Sequence, residues 1–306
     1  MGYFDLQVNG YAGVDFNSDS LDADEVERVC LRLEAQDVEG ILATVITESL
    51  PVMEARLRRL ADVVQNNASI RRVIRGIHIE GPFINPEPGY RGAHPVDAIR
   101  PADLPAMKRL LESAGGLTRL VTLAPECDSG LPVTRHLADL GIVVSAGHTN
   151  ASRDELQAAI DAGLTMFTHL GNGCPATMPR HDNIIQRALS LSDQLWSCFI
   201  ADGAHIPFFA LRNYLDTTGI DRAIVVTDAI VAADLGPGTY RFGRWVLEIG
   251  EDLVPRAPDR SHLVGSAITM PKSFHNLTQY LDVSRSDAEK LMKGNPQIAL
   301  GQALSC

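Results

Sequence analysis

Short apolar, β-branched runs alternate along the chain with longer stretches in which apolar residues recur every three or four positions. The runs fall at residues 3–9, 40–47, 75–80, 117–124, 141–148, 166–169, 198–202 and 223–228, and their length and composition predict strands. The stretches at 22–36, 51–65, 101–113, 130–140 and 152–162 carry the period of amphipathic helices. Eight such alternations predict parallel strands joined by crossover helices, and the length suits an α/β fold of the (β/α)8 TIM-type barrel kind. An open doubly wound sheet shares the local pattern. Its nucleotide-binding forms carry G-x-G-x-x-G or a Walker loop after a strand, and neither occurs here.

Between residues 234 and 265 the pattern changes. Residues 239–243 and 244–250 alternate like paired strands and precede a Pro-rich loop, which predicts a small β insertion after strand eight, near the active face. Helical pattern returns at 271–281, at 286–292 and in a short piece after Pro296. No internal repeat or interdomain linker interrupts the chain, so residues 1–306 read as one barrel domain.

A barrel works from the C-terminal ends of its strands, and the polar residues gather there. They are Gln7 and Asn9 in strand one, His78 and Glu80 in strand three, His148 in five, His169 in six and Asp228 in eight. The period of two puts Gln7 with Asn9, and His78 with Glu80, on one face, and turns Leu6, Val8, Ile77 and Ile79 toward the helices.

Composition narrows the function. With 45% hydrophobic and 21% charged residues, the chain is neither disordered, collagen-like nor coiled-coil. Its net charge of −11, with no Lys/Arg run, argues against nucleic acid or anionic lipid as partner. A small phosphorylated ligand stays open, because one arginine in a pocket can hold a phosphate. Cys30, Cys127, Cys174, Cys198 and Cys306 are scattered and form no C-x-x-C, which predicts neither a disulfide framework nor a cysteine zinc site. The N-terminal residues lack a signal-peptide pattern, and no apolar run reaches the length of a membrane span. A reduced, cytoplasmic setting is expected.

Glu80, His148 and His169 come from three strand ends and supply the N/O ligand set that zinc or another borderline divalent metal accepts. For any one of them alone, a hydrogen-bonded residue at a strand end is the plainer explanation. Asp228 follows an apolar run and emerges at the barrel mouth, where a carboxylate beside an activated water takes a proton and returns it to a leaving amine; an N-cap or Asx-turn role competes with this. His78-x-Glu80 matches half of a nucleic-acid deaminase signature, but the P-C-x-x-C half is absent, leaving His78 as a satisfied interior histidine. His94, Asn172, Arg180 and His205 lie in loops after strands, where function concentrates. Simple surface polarity is the alternative, most of all for Arg180 beside His181 and Asp182. Gly171, Gly173 and Pro175 equally suit a tight turn.

At these motifs the sequence resembles the N-acetylglucosamine-6-phosphate deacetylases of the amidohydrolase superfamily. The matching stretches are Asp5-Leu-Gln-Val-Asn-Gly10, Gly76-Ile-His-Ile-Glu-Gly-Pro82, Leu123-Ala-Pro-Glu126, Val144-Ser-Ala-Gly-His-Thr-Asn150, Thr168-His-Leu-Gly-Asn172, Ile200-Ala-Asp-Gly-Ala-His205, Val226-Thr-Asp-Ala229 and Gly265-Ser-Ala-Ile-Thr-Met270. The resemblance implies a metal-dependent deacetylase of an N-acetyl amino sugar 6-phosphate. Glu80, His148 and His169 would hold one divalent metal, zinc first, with iron, manganese or cobalt also accommodated. Asp228 would be the catalytic acid and base, and His94 would contact the acetyl carbonyl. Asn172, Gly173, Arg180 and His205 would hold the sugar phosphate, with Arg180 reaching across a homodimer into the neighbouring site. Gln7 and Asn9 stand where binuclear relatives carry an H-x-H pair, which implies the single-metal branch. Two departures stand out: the family's β-sandwich segments flanking the barrel are missing from this sequence, and Gly171 and Gly173 replace larger residues of the phosphate loop. Rival readings keep the metal centre for N-acetylgalactosamine-6-phosphate, another N-acyl compound or a cyclic amide, or make the chain a non-catalytic sugar-phosphate-binding barrel.

Overall fold

The structure, a computed structural model, describes residues 2–301. Eight strands form its frame: β1 (Tyr3–Val8), β2 (Val38–Ile46), β3 (Ile74–Glu80), β4 (Thr118–Leu123), β5 (Val143–Ala146), β6 (Leu164–Phe167), β7 (Trp196–Ile200) and β8 (Ala223–Val226). Each pairs in parallel with the next in sequence, and helices fill most of the crossovers, so the predicted barrel stands.

The seam between β8 and β1 closes differently. Val8 bridges Ala229, and the Asn9 amide donates to the Ala229 carbonyl at 2.7 Å. Below that bridge, the buried Asp5 carboxylate takes the place of ladder carbonyls. It accepts the backbone N–H of Thr227 and of Gln7, both at 3.2 Å, and the Thr227 hydroxyl at 2.5 Å. Burial pushes the Asp5 carboxyl up to about 7. The pairing of β1 with β2 slips between Asp5 and Val8, and this bulge overturns one expectation. Leu6 does not face the helices; it joins Phe4, Leu42, Leu120 and Met166 in the barrel interior. Val8, Ile77 and Ile79 do pack in the helix-facing layer.

Local chemistry sets where helices begin. Leu104–Ser113 starts later than its apolar pattern because Asp103 caps it, accepting from the Ala106 amide, with Pro105 in the first turn. Pro132–Asp139 starts only after Gly130 and Leu131, both in the left-handed region, and the Asp128 carboxylate accepts the Val133 and Thr134 amides. Ser152 and Glu155 form a capping box at Arg153–Asp161. Ala68–Val73, Ile184–Leu189 and Phe208–Thr218 are helices beyond those the sequence pattern predicts.

The expected insertion is an antiparallel hairpin, β9 (Gly238–Phe242) and β10 (Trp245–Ile249). It is fastened beside the mouth. Arg244 at its turn donates to Glu48 at 2.7 Å and to Asp97 at 2.9 Å, and the Trp245 indole donates to the Ala93 carbonyl at 3.3 Å. Of the closing helices, Met270–Tyr280 packs in the helix-facing layer through Met270 and Leu277, and the run Arg285–Ala299 reaches the opposite end, where the Asn295 side-chain amide donates to the carbonyls of Ile220 and Ala223 at 2.7 Å. Cys30, Cys127, Cys174 and Cys198 are free thiols, and Cys306 lies outside the described residues. Among the described residues no helix is long and apolar enough to cross a membrane.

Candidate active site

Glu80 ends β3, and His148, His169 and Asp228 each stand two residues beyond the end of a strand. All three of these latter residues have left-handed backbone, with φ of 51°, 27° and 53°. Such a conformation costs a non-glycine residue roughly 1–2 kcal/mol. Hydrogen bonds from neighbouring chain hold it in place. The Asn85 amide donates to the His148 carbonyl at 2.9 Å, the Leu170 amide to the Cys198 carbonyl at 2.8 Å, and the Ser266 amide to the Asp228 carbonyl at 2.9 Å. Glu126 ties two of the loops together, accepting from Asn85 Nδ2 at 2.9 Å and from the Asn150 amide at 2.6 Å.

The side chains so turned converge. One ligand atom each from Glu80, His148 and His169 lies within 4.8 Å of the others. His169 Nε2 is 3.0 Å and His148 Nε2 3.4 Å from Glu80 Oε1. His148 Nδ1 donates to the Tyr90 carbonyl at 2.8 Å, which leaves Nε2 of the neutral ring with a lone pair for a cation. His169 Nδ1 is buried without a partner among the described residues. Two imidazoles and a carboxylate, buried and with no arginine or lysine paired to Glu80 among the described residues, suit a borderline divalent metal ion. Burial works to raise the Glu80 carboxyl, but the His148 and His169 rings overcome it and hold the group well below the carboxylate range. Burial likewise opposes charge on His169, and Glu80 wins, raising it.

Asp228 keeps part of its surface open to the cleft. Its Oδ1 accepts Asn9 Nδ2 at 2.7 Å and Gln7 Nε2 at 3.0 Å, while no donor among the described residues meets Oδ2. Burial first, then the charge of Glu80, pushes the Asp228 carboxyl up. His94 lies edge-on to His148, ring centroids 4.4 Å apart, with Nδ1 2.8 Å from Thr47 Oγ1. Burial and the His148 ring push His94 down to about 3, so it is neutral. His78 sits deeper, 2.8 Å from Thr122 Oγ1, and burial holds it down to about 4, the satisfied interior histidine that the sequence suggests.

Glu80, His94, His148, His169 and Asp228 floor a cleft of about 680 Å³. Asn172, Gly173 and His205 line one wall, and Trp245 and His262 of the insertion line another. Asn172 Nδ2 is buried and unpaired among the described residues, and His205 Nδ1 is 2.6 Å from Asp202, leaving its other nitrogen for a ligand. The glycine at 173 has a local reason: at φ +59°, a Cβ would stand 2.9 Å from His148 Nδ1. Arg180 is exposed and does not line the cleft. Asp182, its neighbour in sequence, pairs with Arg187 at 2.6 Å instead. The cleft's sole Arg or Lys among the described residues is Arg91, which the sequence motifs did not single out. Thr47, just past the end of β2, was missed likewise, and Thr168 and Glu126 stand in the matched motifs without a role having been read for them.

No family model matches the chain. It is 32% identical to the N-acetylglucosamine-6-phosphate deacetylase of Bos taurus over 98% of this chain and 74% of that protein. To the N-acetylgalactosamine-6-phosphate deacetylase of Escherichia coli it is 27% identical over 98% of this chain and 77% of that protein. The N-acetyl-D-glucosamine-6-phosphate deacetylase of Mycobacterium smegmatis, solved in complex with N-acetyl-D-glucosamine-6-phosphate, matches with a TM-score of 0.88 at 29% identity, over 98% of this chain and 77% of that one. Barrel, ligand cluster and relatives together define a metal-dependent hydrolase of carbon–nitrogen bonds, an amidohydrolase. Within that class, the chain belongs to the N-acetylglucosamine-6-phosphate deacetylase family.

Proposed function

We propose that the chain hydrolyses the amide of N-acetylglucosamine-6-phosphate, releasing acetate and glucosamine-6-phosphate. The observation that carries this reading is the pairing of a buried Glu80, His148 and His169 cluster with the Asp228 carboxylate, whose Oδ2 meets no donor among the described residues. Glu80, His148 and His169 would hold one divalent cation, zinc first among those this N/N/O set admits. Such an ion, when bound, makes a water acidic near neutral pH and polarises an amide carbonyl.

The remaining steps belong to the chain's own groups. Asp228 Oδ2 accepts the proton of the attacking water as its oxygen bonds to the amide carbon, then delivers that proton to the nitrogen as the C–N bond breaks. His94 donates from Nε2 to the carbonyl oxygen as charge develops there. That role needs the proton on Nε2, so Thr47 must donate to His94 Nδ1 and give up its 3.3 Å bond to the Glu80 carbonyl. Asn172, Gly173 and His205 hold the sugar phosphate, and Arg180 reaches it from the second copy of a homodimer. Its exposure and lack of an ion pair among the described residues support that placement.

The test is acetate release from N-acetylglucosamine-6-phosphate by zinc-loaded protein, beside Asp228→Asn. The variant is expected to bind zinc as the parent does and to lose about 10²–10⁴-fold in kcat. Near-parental turnover by Asp228→Asn would overturn the assignment. The Escherichia coli relative, named for the galactosamine epimer, favours N-acetylgalactosamine-6-phosphate as second reading; kcat/KM for the two epimers decides between them.

A further inference from the structure

The side-chain amide of Gln7 touches both carboxylates of the site. Nε2 donates to Glu80 Oε1 and to Asp228 Oδ1, each at 3.0 Å, so both of its N–H groups are used. Its Oε1 accepts the Thr168 hydroxyl at 2.7 Å. The amide's orientation follows from chemistry, because ionised carboxylates only accept and a threonine hydroxyl can donate. Gln7, Glu80 and Thr168 are all buried, where an unmatched donor or acceptor costs about 1–3 kcal/mol. Asn9 also donates to Asp228 Oδ1, at 2.7 Å, but makes no bond to Glu80. Among the described residues, Gln7 is therefore the one side chain hydrogen-bonded to both groups. It sits on β1 and Glu80 ends β3, while Thr168 follows β6 and Asp228 follows β8, so a single amide joins four staves of the barrel at the mouth.

We propose that Gln7 is a positioning residue: oriented by Thr168, its amide fixes the metal ligand Glu80 and the base Asp228 relative to one another, so that cation binding and base placement depend on the same group. This rests on the ligand and base roles proposed above. Two carboxylates side by side repel, and a neutral double donor between them relieves the repulsion without adding a titrating group. Thr168 immediately precedes His169, and its own amide donates to the Ala146 carbonyl at 2.8 Å, so the orienting hydroxyl and a ligand share one turn of backbone.

The experiment uses the full chain with Gln7→Met, which keeps the side-chain length and removes the donors, and the pair Thr168→Val and Thr168→Ser. Three quantities are read: zinc affinity by competition with a chelating dye, kcat and KM at saturating zinc, and thermal midpoint. Gln7→Met is expected to weaken zinc about 10–100-fold and to lower kcat by a similar factor, with KM within about threefold. Thr168→Val should fall in the same direction by less, and Thr168→Ser should restore parental values. Gln7→Met with zinc affinity and kcat within about twofold of the parent overturns the proposal, as does a lowered thermal midpoint with parental values of both. Should Gln7→Met not fold, equal zinc affinity in Thr168→Val and Thr168→Ser overturns it. A parent that releases no acetate would sink the functional reading instead, and zinc affinity would still decide the role of Gln7.

Discussion

At the scale of single residues, the site separates imidazoles by what their second nitrogen meets. His148 spends Nδ1 on the Tyr90 carbonyl and presents Nε2 to the cation cluster, while His94 has a hydroxyl at Nδ1 that can serve either tautomer. Kept neutral by burial and by His148, His94 can act as a donor but not as a fixed cation. His94→Phe should lower kcat by about 10²–10³-fold and leave the zinc content of purified protein unchanged. Loss of zinc in that variant would move His94 into the ligand set. Glu80, His148, His169 and Asp228 were all legible in the sequence as polar residues at apolar strand ends. The left-handed backbone that turns the last three inward was not, because φ at a strand end answers to the clamp of neighbouring loops.

At the scale of elements, the seam of the barrel depends on Asp5. The carboxyl titrates near 4 in an unfolded chain and is pushed up to about 7 here by burial. Between those values the folded protein holds a proton that the unfolded chain has released, so stability falls as pH rises across that window and levels off above it. The protonated form has an acceptor in Thr227 Oγ1, itself 3.5 Å from the Gln7 carbonyl. Asp5→Asn should remove this slope, so that in urea unfolding the variant gains on the parent by a few kcal/mol between about pH 4 and about pH 7. An unchanged difference at the two pH values would rule out Asp5 as the source. The alternation of residues along β1 predicted Leu6 on the helix side. The bulge that carries Asp5 to the seam shifts the phase by one residue and returns Leu6 to the interior.

At the scale of the whole molecule, the ligand cluster draws β3 together with the segments after β5 and β6, so an ion there cross-links distant parts of the chain. Zinc at about 100 times its dissociation constant should add about 2.7 kcal/mol to stability, visible as a rise in thermal midpoint. Because Glu80 raises His169, uptake near neutral pH should release protons, and calorimetry in buffers of different ionisation enthalpy measures that release. Binding enthalpies that do not vary with buffer would contradict the linkage. The chain carries a net charge of −11 and an anionic substrate is proposed, so attraction must be local. Arg91 is the one lysine or arginine on the cleft wall among the described residues, and a fixed positive charge there would supply it.

Periodicity alone determined the eight strands, the parallel order, the hairpin insertion and the rim on which the polar residues lie, because burial on both faces writes itself into consecutive positions of the chain. Tertiary structure alone decided the closure through Asp5, the place of Leu6, Arg91 on the cleft wall and the amide that joins Glu80 to Asp228. Gln7 is 73 residues from one of those partners and 221 from the other. A contact of that span leaves no local period and exists only once the barrel has closed.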